Sequence, residues 1–143
     1  MLLGEYRHNV DAKGRVSVPS KFRCDLGQSF VVTKGLDNCL YLYSKDEWKK
    51  FEDKLKNLPI TSQEARSFVR FFFAGASECE VDKQGRINIP QNLREYAKIQ
   101  KDVVIVGVST RAEIWNSENW DKYTNSDSLD VSKIASQMSN LGI

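Results

Sequence analysis

DAKGRVSVPSKFR at residues 11–23 returns 71 positions later as DKQGRINIPQNLR at residues 82–94. The Asp, Gly, Arg, Pro and final Arg positions are identical, and the apolar positions hold Val or Ile, then Phe or Leu. The likeness extends to Trp48 and Trp120 after a one-residue insertion in the second copy. A whole structural unit is therefore duplicated, and the chain presents its Asp-x-x-Gly-Arg turn twice.

Length and composition indicate one domain built from two halves. The chain has 143 residues, enough for a substantial core, whereas two units of about 45 residues would each be marginal alone. No apolar run approaches the ~20 residues that span a membrane, and the N-terminus lacks the pattern of a signal peptide. Cys24, Cys39 and Cys79 are odd in number and have no C-x-x-C spacing, which predicts three buried thiols in a reducing, cytoplasmic compartment.

The charge distribution excludes a polycationic nucleic-acid coat but favours one basic face. The net charge is only +2. Residues 1–35 hold six Lys and Arg against three acids, while residues from 111 onward hold three against five. Such unevenness suits a protein that concentrates cations on one surface.

Each repeat predicts a strand, a tight turn, a second strand and a short helix. Asp11 favours the turn because its carboxylate accepts nearby backbone N–H groups, and Gly14 supplies a positive φ. Pro19 and Pro90 end the second strands, and each opens a short helix. The strand residues then alternate, with Val16, Val18, Ile87 and Ile89 facing the core and Arg15, Ser17, Arg86 and Asn88 facing outward.

A helical insert separates the repeats. Trp48, Phe51, Leu55 and Leu58 form one apolar stripe that Pro59 ends, and residues 61–64 read as a capping box opening a second helix. That helix carries more aromatic surface than a small core needs, which predicts a subunit interface; the alternative is a helix enclosed within the domain. The candidate interface residues are Phe68, Phe71, Phe72 and Phe73.

The last segment is rich in Ser, Asn and Asp and reads as a linker after Trp120. Helical spacing near its end predicts a short helix that either docks or frays. The residues with that spacing are Val131, Ile134, Ala135, Met138 and Leu141.

The sequence gives little support for an enzymatic function. His8 is the one histidine, and a lone imidazole on a strand is more often structural than catalytic. The chain has no nucleophile elbow, Walker loop or Gly-x-Gly-x-x-Gly, and His8 and the cysteines lack metal-ligand spacing. Asp11 and Asp82 would make a poor acid–base couple, since the Arg four residues later lowers a carboxylate pKa. We therefore expect no catalysis, no metal and no cofactor.

The Arg-bearing turns are better candidates. Arg can fork onto phosphate or onto guanine O6 and N7, and Ser or Asn can hydrogen-bond the DNA backbone or base edges. The alternative is a hairpin locked by its own Asp–Arg pair. An exposed ion pair contributes only ~0–1 kcal/mol, however, so stability is a weak reason to keep the arrangement twice.

At these residues the chain resembles the MraZ family of bacterial transcriptional regulators. The resemblance rests on Asp11–Arg15 and Asp82–Arg86, each running into Val/Ile-x-Val/Ile-Pro. It continues through residues 75–79 and 113–115 and the tryptophans at the helix starts, covering roughly residues 1 to 123.

The resemblance implies a mainly β fold with short helices, a double-split β-barrel of the AbrB-like swapped-hairpin type with two pseudo-twofold repeats. It implies a first AbrB-like half-domain at 5–47, a helical insert at 48–75, a second half-domain at 76–119 and a tail or short helix at 120–143. It further implies a ring-shaped homo-oligomer, octamer-like, located in the cytoplasm with the nucleoid. This ring would bind short tandem DNA repeats upstream of its own cell-division and cell-wall operon.

Carried over by position, Arg15 and Arg86 become the DNA contacts. Their turn supports are Asp11, Gly14, Asp82 and Gly85. Lys13, Lys21 and Arg23 add cations in the first copy, whereas Lys13 matches the uncharged Gln84 in the second, so the first copy should carry more phosphate affinity.

Two alternatives remain beside the DNA-binding regulator. One is an AbrB-fold, antitoxin-like module that mainly binds protein and binds DNA secondarily; a long charged C-terminal arm would favour it, and this tail is short. The other is an enzyme on the same scaffold, which would need a pocket with convergent titrating groups.

Overall fold

The structure is a computed structural model that describes residues 1–126 and 129–142. Within them, eight strands and six α-helices follow in chain order. The strands are β1 Leu2–Asn9, β2 Arg15–Ser17, β3 Ser29–Lys34, β4 Leu40–Tyr43, β5 Ser77–Glu80, β6 Arg86–Asn88, β7 Asp102–Ser109 and β8 Ala112–Asn116. The helices are α1 Ser20–Leu26, α2 Lys45–Lys56, α3 Gln63–Gly75, α4 Gln91–Tyr96, α5 Ser117–Thr124 and α6 Val131–Met138. Short 3₁₀ turns occupy Leu36–Asn38 and Ser139–Leu141.

Six strands form one open antiparallel sheet in the order β1-β7-β8-β4-β3-β5. The repeat counterparts β4 and β8 lie at the centre, β3 and β7 beside them, and β5 and β1 at the edges. Each edge strand pairs with a strand of the other repeat: β1 runs along β7 and β5 along β3. Neither repeat can therefore build this sheet without the other.

The remaining strands, β2 and β6, pair only with each other as a short antiparallel ribbon, one strand from each repeat. The predicted alternation is confirmed, because Val16, Val18, Ile87 and Ile89 are at most 4% exposed. The helices predicted after Pro19 and Pro90 are also confirmed as α1 and α4. All these elements share one core that draws on both repeats.

The opposite face of the sheet carries an aromatic layer. Side chains of β4 alternate, so Leu40 and Leu42 join the first core while Tyr41 and Tyr43 face α2 and α3. Phe51 of α2 stacks on Tyr43 at 5.3 Å between ring centroids. On the second half of the sheet, α5 takes the place that α2 has on the first.

The helical insert differs from its prediction at both boundaries. Helix α2 ends at Lys56, so Leu58 lies beyond it and is 37% exposed. Helix α3 is capped by Ser62, whose Oγ accepts a hydrogen bond from the N–H of Ala65 at 3.2 Å. The capping-box prediction is therefore wrong by one residue, because Glu64 lies one position too early to complete the box.

The prediction of three buried thiols is wrong for Cys24, which is exposed on α1. Cys39 and Cys79 are buried, and burial raises the pKa of the Cys79 thiol to about 11.

The last segment is more helical than predicted. Helix α5 continues past Trp120 to Thr124, because the amide of Asn116 caps its start and Trp120 and Tyr123 pack on Trp115. The predicted terminal helix is confirmed as α6, but none of its side chains is buried. Residues 127, 128 and 143, which belong to the predicted tail, lie outside the described residues.

Candidate nucleic-acid interface

The first Asp-x-x-Gly-Arg turn is organised by one carboxylate. Asp11 Oδ1 accepts hydrogen bonds from the backbone N–H groups of Lys13 at 3.0 Å and Arg15 at 2.9 Å. Asp11 Oδ2 accepts the Arg15 Nε–H at 2.7 Å. Gly14 closes the turn with φ +85° and donates its N–H to the Asp11 carbonyl at 3.0 Å. The aspartate thus fixes both the loop and the stem of the arginine.

The second turn repeats this geometry atom for atom. Asp82 Oδ1 accepts from the backbone N–H groups of Gln84 at 2.8 Å and Arg86 at 2.9 Å. Asp82 Oδ2 accepts the Arg86 Nε–H at 3.0 Å, and Gly85 has φ +78°. The two turns therefore present their arginines in the same local conformation.

Both turn carboxylates are held in the anionic form. The backbone N–H of Arg15 has the largest effect and lowers the pKa of Asp11; desolvation opposes it, and the Arg15 side chain lowers the pKa further. The backbone N–H of Arg86 does the same for Asp82. A carboxylate stabilised as an anion is a poor proton donor at neutral pH, which fits structural support rather than acid–base chemistry.

The ribbon places four polar side chains on its outward face. Arg15 lies opposite Asn88, and Arg86 lies opposite Ser17, with the buried pair Val16 and Ile87 between them. The two arginines are therefore diagonal on one small surface. Their side chains are 33% and 28% exposed, enough to contact a ligand while remaining anchored.

Each turn is locked against the other repeat. The N–H of Val18 donates to the Gly85 carbonyl at 2.9 Å, and the N–H of Ile89 donates to the Gly14 carbonyl at 2.9 Å. This reciprocal pair of hydrogen bonds joins the two turns into one unit.

Two further arginines cover the turn glycines. A Cβ on Gly14 would lie 2.8 Å from the guanidinium carbon of Arg94, and one on Gly85 would lie 3.0 Å from that of Arg23. Arg94 is also anchored, since its Nε–H donates to the Ile89 carbonyl at 2.9 Å. Each repeat therefore supplies the arginine that covers the turn of the other.

Sequence reasoning missed two cations at this surface. Arg94 was visible as the last residue of the repeated motif, but its place over the opposite turn depends on the tertiary arrangement. Lys83 is exposed in the second turn, one position before Gln84. Each turn therefore carries one lysine, Lys13 or Lys83, and the expected excess of cations in the first copy rests on Lys21 alone, because Arg23 has its counterpart in Arg94.

Comparison with known proteins gives a consistent result. The family model of the MraZ protein, described as antitoxin-like, matches residues 1–71 and again residues 72–141. A protein of Caldicellulosiruptor saccharolyticus named transcriptional regulator MraZ is 65% identical over all 143 residues of both chains. Proteins of the same name from Caldicellulosiruptor bescii and Alkaliphilus metalliredigens are 64% and 58% identical, again over the full length of each chain.

The chain belongs to the MraZ family. The two family matches meet inside α3, so the second MraZ repeat includes the end of that helix, β5 to β8, α5 and α6. Helix α6 is accordingly the counterpart of α3, a relation that the sequence analysis did not recognise. Both helices follow a six-residue connection, at 57–62 and 125–130, and both have an N-cap side chain that accepts the N–H three residues later.

The predicted interface phenylalanines fall into different environments in this MraZ fold. Phe72 is 1% exposed and packs against Tyr41 and Phe51, so it offers no surface to a partner. Phe71 and Phe73 are half-buried, whereas Phe68 is 41% exposed. The candidate oligomer surface therefore centres on Phe68.

Metal-binding clusters and bilayer-spanning helices are both absent from the described part of the chain. No group of three His, Cys, Asp or Glu side chains there is arranged to hold a metal ion. Within the same residues, no helix combines the length and apolar character needed to cross a bilayer.

Proposed function

We propose that this chain is a non-enzymatic transcriptional regulator that binds double-stranded DNA sequence-specifically. Its sites would be short tandem repeats upstream of its own cell-division and cell-wall operon. The protein would work in the cytoplasm, associated with the nucleoid. The full-length likeness to relatives named as transcriptional regulators supports the regulatory function.

The observation that carries the proposal is the diagonal placement of Arg15 and Arg86 on the outward face of the β2–β6 ribbon. A two-stranded antiparallel ribbon fits the major groove of B-DNA. Because the two arginines are related by the repeat, they would approach equivalent positions on the two halves of a DNA site.

The turn aspartates hold each arginine by one N–H group and leave its other N–H groups available for DNA. Among the hydrogen bonds of the described residues, Asp11 and Asp82 engage only the Nε–H of each guanidinium. The terminal N–H groups would then fork onto guanine O6 and N7 or onto phosphate. Lys13, Lys21 and Arg23 would add phosphate contacts around them, together with Lys83 from the second turn.

Oligomerisation belongs to the proposed mechanism. A ribbon with a few cations binds DNA weakly, because each neutralised phosphate adds only about one unit to the salt slope. Several subunits on tandem repeats would gain ~10²–10⁴ in avidity. We propose a ring-shaped, octamer-like homo-oligomer in which the exposed Phe68 and the half-buried Phe71 and Phe73 contribute to the subunit contacts.

We also propose that the repeats are AbrB-type half-domains at residues 5–47 and 76–119, with an insert at 48–75 and a tail at 120–143. The exchange of β1 and β5 between repeats supports a swapped-hairpin relation. In this proposal the ribbon and the flanking sheet together correspond to a double-split β-barrel.

The test is fluorescence anisotropy on a duplex from the chain's own upstream region, against a shuffled duplex at two salt concentrations. Arg15→Ala and Arg86→Ala should each weaken binding to the native duplex at least tenfold. Arg15→Lys keeps the charge but loses the planar fork, so it should lose preference for the native duplex more than total affinity. Lys54→Ala, exposed on α2 away from the ribbon, is the matched control and should bind normally.

Circular dichroism and native mass must be unchanged in each variant, so that lost binding reports contact rather than folding. Equal affinity for both duplexes, or normal binding by Arg15→Ala, would contradict the proposal.

A second candidate is an antitoxin-like module whose main partner is another protein. The antitoxin-like description of the matching family favours it. In that case the wild-type chain would show weak, sequence-independent DNA binding in the same titration, and the ribbon arginines would matter little for it.

A further inference from the structure

We propose that α6 of one copy of the chain binds in the groove between α2 and α3 of a second copy. This inference adds a specific subunit contact to the proposed oligomer, and it stands independently of DNA recognition by the ribbon.

Helix α6 has the features of a helix that needs a partner. Val131, Ile134, Ala135 and Met138 share one face at positions i, i+3, i+4 and i+7, with Leu141 continuing beyond the helix. Val131 and Leu141 are each 70% exposed, and Ile134 is 36% exposed. Helices shorter than about 12 residues are marginal in water without tertiary packing. An eight-residue helix with this face therefore requires a surface that buries it.

A matching surface lies between the end of α2 and the start of α3. The groove has a volume of about 310 Å³. Its floor and walls are apolar, formed by Leu55, Leu58, Pro59, Ile60, Ala65 and Val69. Ile60 is 81% exposed, which is unusual for an isoleucine with no partner to cover it. Such a groove accepts an amphipathic helix through residues spaced like those of α6.

Charge favours this groove over the other side of α3. Its rim carries Lys56, Arg66 and Arg70, of which Lys56 is paired with Glu52. The residue that leads into α6 and would meet this rim is acidic, namely Asp130 at the helix N-cap. The opposite side of α3, beside Phe68, is flanked instead by Glu64. The acidic approach to α6 is therefore attracted to the first groove and repelled from the second.

A comparison of α6 with α3 indicates that the groove between α2 and α3 is filled by α6 of a second copy of the chain. After an equal six-residue connection, α3 folds back on its own sheet, where the Phe72 carbonyl accepts the Thr33 hydroxyl at 2.7 Å. No side chain of α6 is fully buried on its own chain, where Met138 is half-buried. The groove belongs to the first repeat and the helix to the second, so the contact joins different surfaces of neighbouring copies. Such head-to-tail contacts generate a ring when their rotation closes.

Cysteine cross-linking between two tagged chains tests the arrangement. Both chains carry Cys24→Ser to remove the exposed thiol, while Cys39 and Cys79 are buried and remain. One chain receives Ile60→Cys in the groove, and the other receives Val131→Cys or Ile134→Cys on the apolar face of α6. After co-expression and mild oxidation, we expect a covalent heterodimer on a non-reducing gel.

Ser136→Cys, on the opposite face of α6, is the matched control and should cross-link several-fold less. Two results would overturn the proposal. The first is absence of the heterodimer with both α6 positions. The second is a disulfide that forms only when Ile60→Cys and the α6 cysteine are in the same chain, since α6 would then dock in its own groove.

Native mass spectrometry provides a second measurement. Ile134→Asp should shift the population from the oligomer toward the 16.4 kDa chain, while Ser136→Asp should leave it unchanged. Equal masses for both variants would contradict the contact. Anisotropy on a duplex with a single repeat should be the same for both, so failure of this inference is distinguishable from failure of the proposed DNA binding.

Discussion

The turn glycines are restrained both by their own backbone and by the other repeat. Gly14 and Gly85 adopt positive φ, and each lies beneath an arginine from the opposite half of the chain. Gly27 has a comparable φ of +86°, but the nearest atom to an added Cβ there is 3.9 Å away. The chain thus contains its own comparison between backbone strain alone and strain combined with crowding.

We predict that Gly27→Ala lowers the free energy of unfolding by about 1–3 kcal/mol, because φ +86° with ψ −178° is a conformation that essentially only glycine adopts. Gly14→Ala carries the cost of its own positive φ and should lose a further ~0.5–1.5 kcal/mol, because the new methyl displaces Arg94 from the Ile89 carbonyl. Urea denaturation of both variants measures the difference. The extra cost should disappear in an Arg94→Ala background, and its persistence there would show that Arg94 is not its source.

Acid should weaken the turns. The folded-state pKa of Asp11 and of Asp82 is lowered, so their stabilisation is complete above the unfolded value of about 4 and is lost as pH falls through the folded values. We expect the free energy of unfolding to decline below about pH 4 in the wild type. The double variant Asp11→Asn with Asp82→Asn should decline less steeply over the same range, whereas identical slopes would contradict the role of these carboxylates.

At the scale of elements, the sequence predicted the strands and helices that local residue patterns determine. The strands around Val16 and Ile87 and the helices after Pro19 and Pro90 follow from alternation and fixed φ. The pairing of β1 with β7 could not be predicted from such patterns, because strand exchange depends on contacts about 100 residues apart in sequence. The position of Arg94 over Gly14 was missed for the same reason.

The exchanged strand β1 also approaches β7 so closely at Gly107 that a side chain there would clash with its backbone. A Cβ at this position would lie 2.7 Å from the Leu3 Cα on the neighbouring strand, where backbone rather than a flexible side chain must move. We predict that Gly107→Ala lowers the free energy of unfolding by ~2–3 kcal/mol through overpacking. Val108→Ala, next along β7 and 38% exposed in the wild type, should cost clearly less. Similar denaturation midpoints for the two would show that β1 adjusts easily.

At the scale of the whole molecule, the duplicated strands make the chain pseudo-symmetric, whereas the helices α3 and α6 make it asymmetric. The repeats place Arg15 and Arg86 symmetrically on one ribbon, which suits a DNA site with two related halves. The helices break that symmetry, since α3 is packed on the sheet while its counterpart α6 is exposed. In the proposed assembly, one face of the chain would therefore bind DNA as a pseudo-dimer, while other surfaces would connect unlike ends of neighbouring copies.

If the ribbon binds DNA and other surfaces join the copies, the affinity for DNA should depend on the number of DNA repeats. For the wild type, a duplex with several tandem repeats should bind ~10²–10⁴-fold more tightly than one with a single repeat, because linked sites act at a high effective concentration. Phe68→Asp, at the exposed centre of the candidate oligomer surface, should remove most of that gain and leave single-repeat binding unchanged. Anisotropy on duplexes with one, two and three repeats, combined with native mass of each variant, measures both quantities. If Phe68→Asp lowered the mass yet kept the full gain, the DNA repeats themselves would be assembling the subunits, and the ring would not be needed for avidity.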